Sequence, residues 1–127
     1  MATQALTAAT FEQTVLETDI VLVDFWASWC GPCMMFAPVF EATSVTHPDI
    51  VFAKVDTEAE QSLAASAQIT SIPTLMGFRE GILVLSQPGA LPAAALEEVI
   101  AGIRALDMDE VRSTIAERST EPASAGG

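Results

Sequence analysis

The chain has two cysteines, Cys30 and Cys33, and they stand two residues apart. No disulfide can therefore tie distant segments together, and whatever holds 127 residues in one shape must be a buried core. As a staple the pair would do little. Closing so short a loop removes only roughly 2 kcal/mol of unfolded-state chain entropy, and a chain using cysteine for stability would place the two far apart. The spacing suits a dithiol that opens and closes. Metal ligation and a purely structural link remain rival readings at this point.

A chain of this length can form one domain with its own core. Half of its residues are hydrophobic. No run approaches the roughly 20 apolar residues of a membrane span, so no membrane association is expected. Acidic residues number 17 against five Lys plus Arg, a formal charge of −12. Long-range repulsion then disfavours nucleic acid and anionic lipid as partners, and solubility alone accounts for the excess. The start, Met1-Ala2-Thr3-Gln4-Ala5-Leu6-Thr7, shows no basic residue and no apolar block. Neither a secretory signal nor an arginine-rich transit peptide is visible, and a cytoplasmic location and a monomer are expected.

Strand and helix signals alternate along the chain. Thr10-Phe11-Glu12-Gln13 has the form of a capping box opening a helix that turns Phe11, Val15 and Leu16 inward. Ile20 to Trp26 is an apolar, β-branched and aromatic run of the kind a fully buried strand shows. From Cys33 to about Val45 the apolar density is helical, with Pro38 expected to kink or divide the helix. Ile50 to Val55 reads as a second buried strand, and Glu58 to Gln68 as an alanine-rich helix. Thr74 to Phe78 and Ile82 to Ser86 form a hairpin around Arg79-Glu80-Gly81, and Pro92 opens a helix carrying Leu96, Val99, Ile100 and Ile103 on one face. The order predicts an α/β domain over residues 1–106: a central mixed sheet of four to five strands flanked by about four helices. Asp107 with Glu110, and Met108, Val111 and Ile115 at helical spacing, suggest a short extra helix over 107–118. Residues 119–127 are small and polar and read as a disordered tail.

Thiol–disulfide exchange needs an ionised, reachable sulfur. Cys30 follows the buried strand directly, and Gly31-Pro32 favours a tight turn into the helix, which places Cys30 at the helix N-terminus. Unpaired backbone N–H groups and the dipole stabilise a thiolate there. Cys33 falls one turn further in. Cys30 is therefore expected to be the nucleophile and Cys33 the resolving thiol. A structural zinc normally needs four protein ligands, whereas this chain offers two cysteines and His47, which precedes Pro48 at a helix end. Asp24 interrupts Val21-Leu22-Val23 and Phe25-Trp26, so its carboxyl lies in or near the core. Desolvation raises the pKa of such a group, and it can take the proton of Cys33, through water, as that thiol attacks.

Val23-Asp24-Phe25-Trp26-Ala27-Ser28-Trp29-Cys30-Gly31-Pro32-Cys33, followed by Ile72-Pro73-Thr74, resembles the thioredoxin family, and the likeness runs from about residue 5 to residue 105. It implies the thioredoxin fold and a protein-disulfide reductase that needs no cofactor of its own. It also implies recharging by an NADPH-dependent flavoprotein, thioredoxin reductase. Cys30 and Cys33 match the family's redox pair, Asp24 its buried acid, and Lys54 the lysine near that acid. Pro73 matches a proline preceded by a cis peptide bond facing the disulfide. Trp26 and Trp29 match the flanking tryptophans. Trp29, Gly31, Pro32, Ile72 and Gly89 correspond to the substrate-docking surface, with Ile72 offering backbone groups to an extended segment. A thiol oxidase or isomerase of the same fold, and a non-enzymatic binding or chaperone subunit, are the alternatives. Gly31-Pro32, with no histidine between the cysteines, speaks against the first.

Two departures stand out. The extension beyond residue 105 is not needed by the shared fold and is expected to be dispensable for the reaction. After Cys33 the family commonly has a basic residue, and here Met34 and Met35 follow. Without that charge Cys30 is expected to ionise less readily than in relatives, and partner choice to lean on apolar contact. The pH dependence of Cys30 alkylation tests this: Met34→Lys is expected to lower the midpoint, and identical midpoints would overturn the idea.

Overall fold

The computed structural model of the protein describes residues 2–120. Among them, β1 (Thr3–Ala5), α1 (Ala8–Glu17), β2 (Ile20–Trp26), α2 (Gly31–Thr46), β3 (Val51–Asp56) and α3 (Gln61–Ser66) are followed by β4 (Thr74–Arg79), β5 (Ile82–Pro88), α4 (Ala93–Arg104) and α5 (Met108–Thr120). The five strands form one mixed sheet in the order β1-β3-β2-β4-β5. Strand β3 runs parallel to both β1 and β2, while β4 runs antiparallel to β2 and β5.

Each face of the sheet carries its own core. Side chains alternate along a strand, so Ile20 and Leu22 of β2 face one way and Val21, Val23 and Phe25 the other. The first set packs with Phe36 and Phe40 of α2, Phe52 of β3 and Leu96, Ile100 and Ile103 of α4. On the opposite face Val15, Ala53, Val55 and Met76 meet, with Phe11 and Leu63 at the margin. Burial on both faces is what a continuous apolar strand such as β2 requires.

Local differences from the sequence reading have identifiable causes. Helix α1 starts three residues earlier than Thr10 suggests, because the Thr7 N–H donates to Thr10 Oγ1 at 3.0 Å. Leu16 turns outward and is exposed. Helix α2 continues across Pro38, held by Phe36 and Phe40, which bracket the proline and are buried in the core. Helix α3 is only six residues long, since Asp56 Oδ1 takes the N–H groups of Glu58 and Ala59 into a turn. Pro92 is the N-cap of α4. In the β4–β5 hairpin Glu80 (φ 53°) and Gly81 (φ 80°) are both left-handed, the conformation of a two-residue turn matched to strand twist.

Helix α5 docks through the buried Met108, and Asp107 Oδ1 accepts from the Asp109 and Glu110 N–H groups at its start. The Arg79 guanidinium donates to the carbonyls of Ile103 (2.9 Å) and Leu106 (2.8 Å), fixing the α4–α5 connection to β4. Arg112 pairs with Glu80 across from the hairpin turn. Residues 119 and 120, read from sequence as tail, belong to α5, and 121–127 lie outside the described residues.

Gly77 sits where α4 crosses β4. A Cβ there would lie 2.8 Å from Ile103 Cδ1 and 3.3 Å from Leu85 Cβ. Gly77→Ala is expected to lower stability by about 1–3 kcal/mol in denaturant unfolding. An unchanged midpoint would show that α4 lifts away without loss.

Candidate active site

Strand β2 ends at Trp26, and a turn closed by the Cys30 N–H on the Ala27 carbonyl (3.2 Å) delivers Cys30 to the N-cap of α2. Pro32 occupies the first turn, where its missing N–H is no loss. Cys30 and Cys33 are joined by a disulfide with their Cα atoms 5.2 Å apart. The Cys33 N–H points at Cys30 Sγ, 3.2 Å away. Cys30 is 5% exposed and Cys33 1%, so the first sulfur lies at the rim and the second beneath it. A negative charge on Cys30 Sγ would be met by that N–H and by the positive end of the α2 dipole.

Opposite the disulfide runs the segment before β4. The Ile72-Pro73 bond is cis, and the Ile72 carbonyl oxygen lies 3.6 Å from Cys30 Sγ. Thr74 Oγ1 donates to the Ser71 carbonyl (2.7 Å), and the N–H of Gly89, a residue in the left-handed region (φ 93°), donates to the Pro73 carbonyl (2.8 Å). Trp29 is largely exposed, its indole N–H held by Glu58 Oε1 at 3.0 Å. Met34 and Met35, in the first turns of α2, are exposed as well, so this rim is apolar. Gly31 stands in open space at the start of the helix.

Asp24 shares the parity of Ile20 and Leu22 and so faces α2. It is wholly buried, and neither carboxyl oxygen has a hydrogen-bond partner among the described residues. Burial pushes its pKa up from 3.8 to about 6, partly opposed by the charge of Lys54. Lys54 is paired in register with Asp24 across β2 and β3. Its ammonium nevertheless rests 5.0 Å from the centre of the Trp26 ring, a cation–π contact, and makes no ion pair among the described residues.

The structure thus gathers Cys30, Cys33, Trp29, Ile72 and Pro73 around one disulfide, with Gly89 bonded behind Pro73. Asp24 and Lys54 are paired on the adjoining strands β2 and β3. His47 is at the other end of α2, where Nε2 meets Glu97 Oε1 at 2.8 Å and Nδ1 accepts from Arg104 at 3.0 Å. Sequence reasoning did not single out Glu58, which steadies Trp29, or Thr57, whose hydroxyl donates to the Trp26 carbonyl at 3.0 Å. Both contacts span roughly thirty residues and leave no local pattern.

The family model described as Thioredoxin matches residues 2–102. The chain belongs to the thioredoxin family. It is 54% identical over 120 residues to a putative thioredoxin 2 of Streptomyces coelicolor, covering 94% of this chain and 90% of that one. A match of that length has to run into α5. Thioredoxin 1 of Synechococcus elongatus is 48% identical over 98 residues, 76% of this chain and 92% of its own. Among solved structures, Plasmodium falciparum thioredoxin superposes with a TM-score of 0.73 at 35% identity, covering 78% of this chain and 97% of that one. Oxidised mitochondrial thioredoxin 3 of Saccharomyces cerevisiae gives 0.73 at 31% identity, with 79% and 94% covered. Thioredoxins are protein-disulfide oxidoreductases, and the Cys30–Cys33 pair gives this member the group that thiol–disulfide chemistry requires.

Between pH 3.8 and about 6 the unfolded chain releases the Asp24 proton while the folded protein keeps it. The folded state then binds more protons, so this group's contribution to stability falls as pH rises through that window, by about 3 kcal/mol in all. The stability of Asp24→Asn relative to wild type is expected to rise by about 2 to 3 kcal/mol between pH 4 and pH 7 in urea unfolding, the rest of the change falling below pH 4. A difference that does not change with pH would show Asp24 to titrate normally.

Proposed function

We propose that the protein reduces disulfides in other proteins, cycling between dithiol and disulfide, and is recharged by an NADPH-dependent flavoprotein, thioredoxin reductase. One observation carries this reading: Cys30 Sγ sits at the rim, between the Cys33 N–H at the start of α2 and the backbone of Ile72. The Cys30 thiolate attacks one sulfur of the substrate disulfide and expels the other as a thiolate. Cys33 then attacks Cys30 Sγ, breaks the mixed disulfide and releases the second substrate thiol. The Cys33 proton passes through water to Asp24. What remains is the Cys30–Cys33 disulfide, and two electrons have gone to the substrate.

An extended substrate segment beside the cysteine pairs with the backbone at Ile72 in the manner of an added strand. Trp29, Met34 and Met35 supply apolar contact, and a groove of about 350 Å³ between Trp29 and Ile72 receives a neighbouring side chain. No Gly-x-Gly-x-x-Gly fingerprint occurs in the chain, so the electrons come from a partner. A reducing cytoplasm suits such a cycle.

Insulin reduction coupled to NADPH and thioredoxin reductase tests the proposal. Wild type is expected to be active, Cys30→Ser inactive, and Cys33→Ser to accumulate a mixed disulfide through Cys30. Activity with dithiothreitol but with no reductase would remove the recharging step. A reduction potential far less reducing than those of thioredoxins would move the reading to an oxidase or isomerase.

A further inference from the structure

Lys54 and Asp24 are direct neighbours across the β2–β3 ladder, both on the α2 side, at the roughly 4.8 Å spacing of paired strands. A lysine so placed can reach a buried acid, yet both Asp24 oxygens are unpartnered. The ammonium instead lies over the Trp26 ring, at a cavity of about 450 Å³ whose lining includes Thr3, Trp26, Glu41, Lys54, Asp56 and Glu60. On that side the ammonium meets the Trp26 ring and shares a cavity with several carboxylates.

Three carboxylates line that cavity, and their bonds distinguish them. Asp56 is committed to the Glu58 and Ala59 amides, and Glu60 Oε1 accepts the Ala8 N–H (2.8 Å) at the start of α1. Glu41, on α2, is held from the edge strand. Thr3 Oγ1 donates to its Oε2 at 2.5 Å and the Ala2 N–H to its Oε1 at 3.3 Å. The Thr3 bond keeps the Glu41 carboxyl below the usual carboxylate range, aided by the Ala2 N–H and, to a smaller extent, by the charge of Lys54. Lys54 thus acts on two acids, Asp24 inside and Glu41 outside. A fixed anion facing a flexible ammonium biases it toward the wetter side, where its hydration is kept.

We propose that Glu41, clamped by Thr3 of β1, is a positioning residue for Lys54, holding the lysine's charge toward the cavity mouth and away from Asp24. The short edge strand then has a task beyond completing the sheet: it sets how much of the Lys54 charge Asp24 feels. The consequence for the reaction rests on Asp24 being the proton acceptor proposed above. The test of positioning does not.

The carboxyl ¹³C shift of Asp24, followed through a pH titration of the full-length oxidised protein, reads the effect directly. Glu41→Gln is expected to lower the Asp24 midpoint by about 0.5 to 1 pH unit, as Lys54 turns inward. Thr3→Val is expected to lower it less, and Thr3→Ser to leave it unchanged. In a Lys54→Met background Glu41→Gln is expected to have no effect, the signature of action through the lysine. Three results would each overturn the inference: an unmoved midpoint in Glu41→Gln, an equal fall without Lys54, or an equal fall in Glu60→Gln. If the midpoint moves as expected while the pH profile of disulfide reduction stays put, the positioning stands and the assignment of Asp24 to the reaction falls.

Discussion

Strand β2 is hydrogen-bonded on both sides, parallel to β3 and antiparallel to β4, and that double pairing sets the depth of every group at the site. A slip of one residue would send Asp24 to the opposite face and exchange the two halves of the core. In the observed register Asp24 stands beside Lys54 on one side and Leu75 on the other. Two residues past Asp24 the strand ends, and four further on Cys30 caps α2. Because β2 and β3 are parallel, the loops at their C-terminal ends come to the same edge of the sheet. That brings Glu58 to Trp29, and the start of β4 places Ile72 and Pro73 against the disulfide.

The same arrangement separates stability from chemistry. Two aromatic-rich cores, one on each face of the sheet, hold the domain together. The disulfide closes a loop too short to add much, so the two redox states need not differ greatly in stability. Burying Asp24 without partners works against folding at neutral pH, as does any desolvated carboxylate. A core of this extent tolerates one such group, and an acid that titrates near 6 is the return for that tolerance.

How much of this could be read beforehand depended on whether the cause was local. The apolar run of β2, the cysteine spacing and the out-of-place Asp24 each announce themselves within a few residues. Thr3-Gln4-Ala5 does not: it has no apolar alternation, and it is a strand only because the edge of β3 offers a partner from Phe52 to Lys54. Helix α3 is shorter than its alanines suggest because Asp56, just upstream, captures the amides of Glu58 and Ala59. Pro38 does not divide α2, since packing by Phe36 and Phe40 outweighs one missing backbone bond. The side-chain bonds of Glu58 to Trp29 and of Glu41 to Thr3 join residues 29 and 38 apart, and no spacing rule reaches them.

The charge pattern around the dithiol gives these distant contacts their weight. Where relatives commonly carry a basic residue after the second cysteine, this chain has Met34, so the rim offers no side-chain cation to a Cys30 thiolate. Support for that anion falls to the backbone N–H groups and dipole of α2 alone. An ionised Asp24, buried on the face of β2 that α2 covers, would oppose it, and in a buried setting such repulsion is poorly screened. Keeping Asp24 protonated up to about pH 6 removes the opposing charge over part of the range, while lowering its pKa would extend the repulsion to more acidic solution. A Lys54 charge drawn outward therefore aids Cys30 by leaving Asp24 neutral for longer, although the lysine itself is then further from the acid. In a member of the family with a cation at the rim that balance would matter less. Here the protonation of one buried carboxyl and the ionisation of one thiol are coupled more tightly because, among the described residues, no side-chain cation at the rim supports the thiolate.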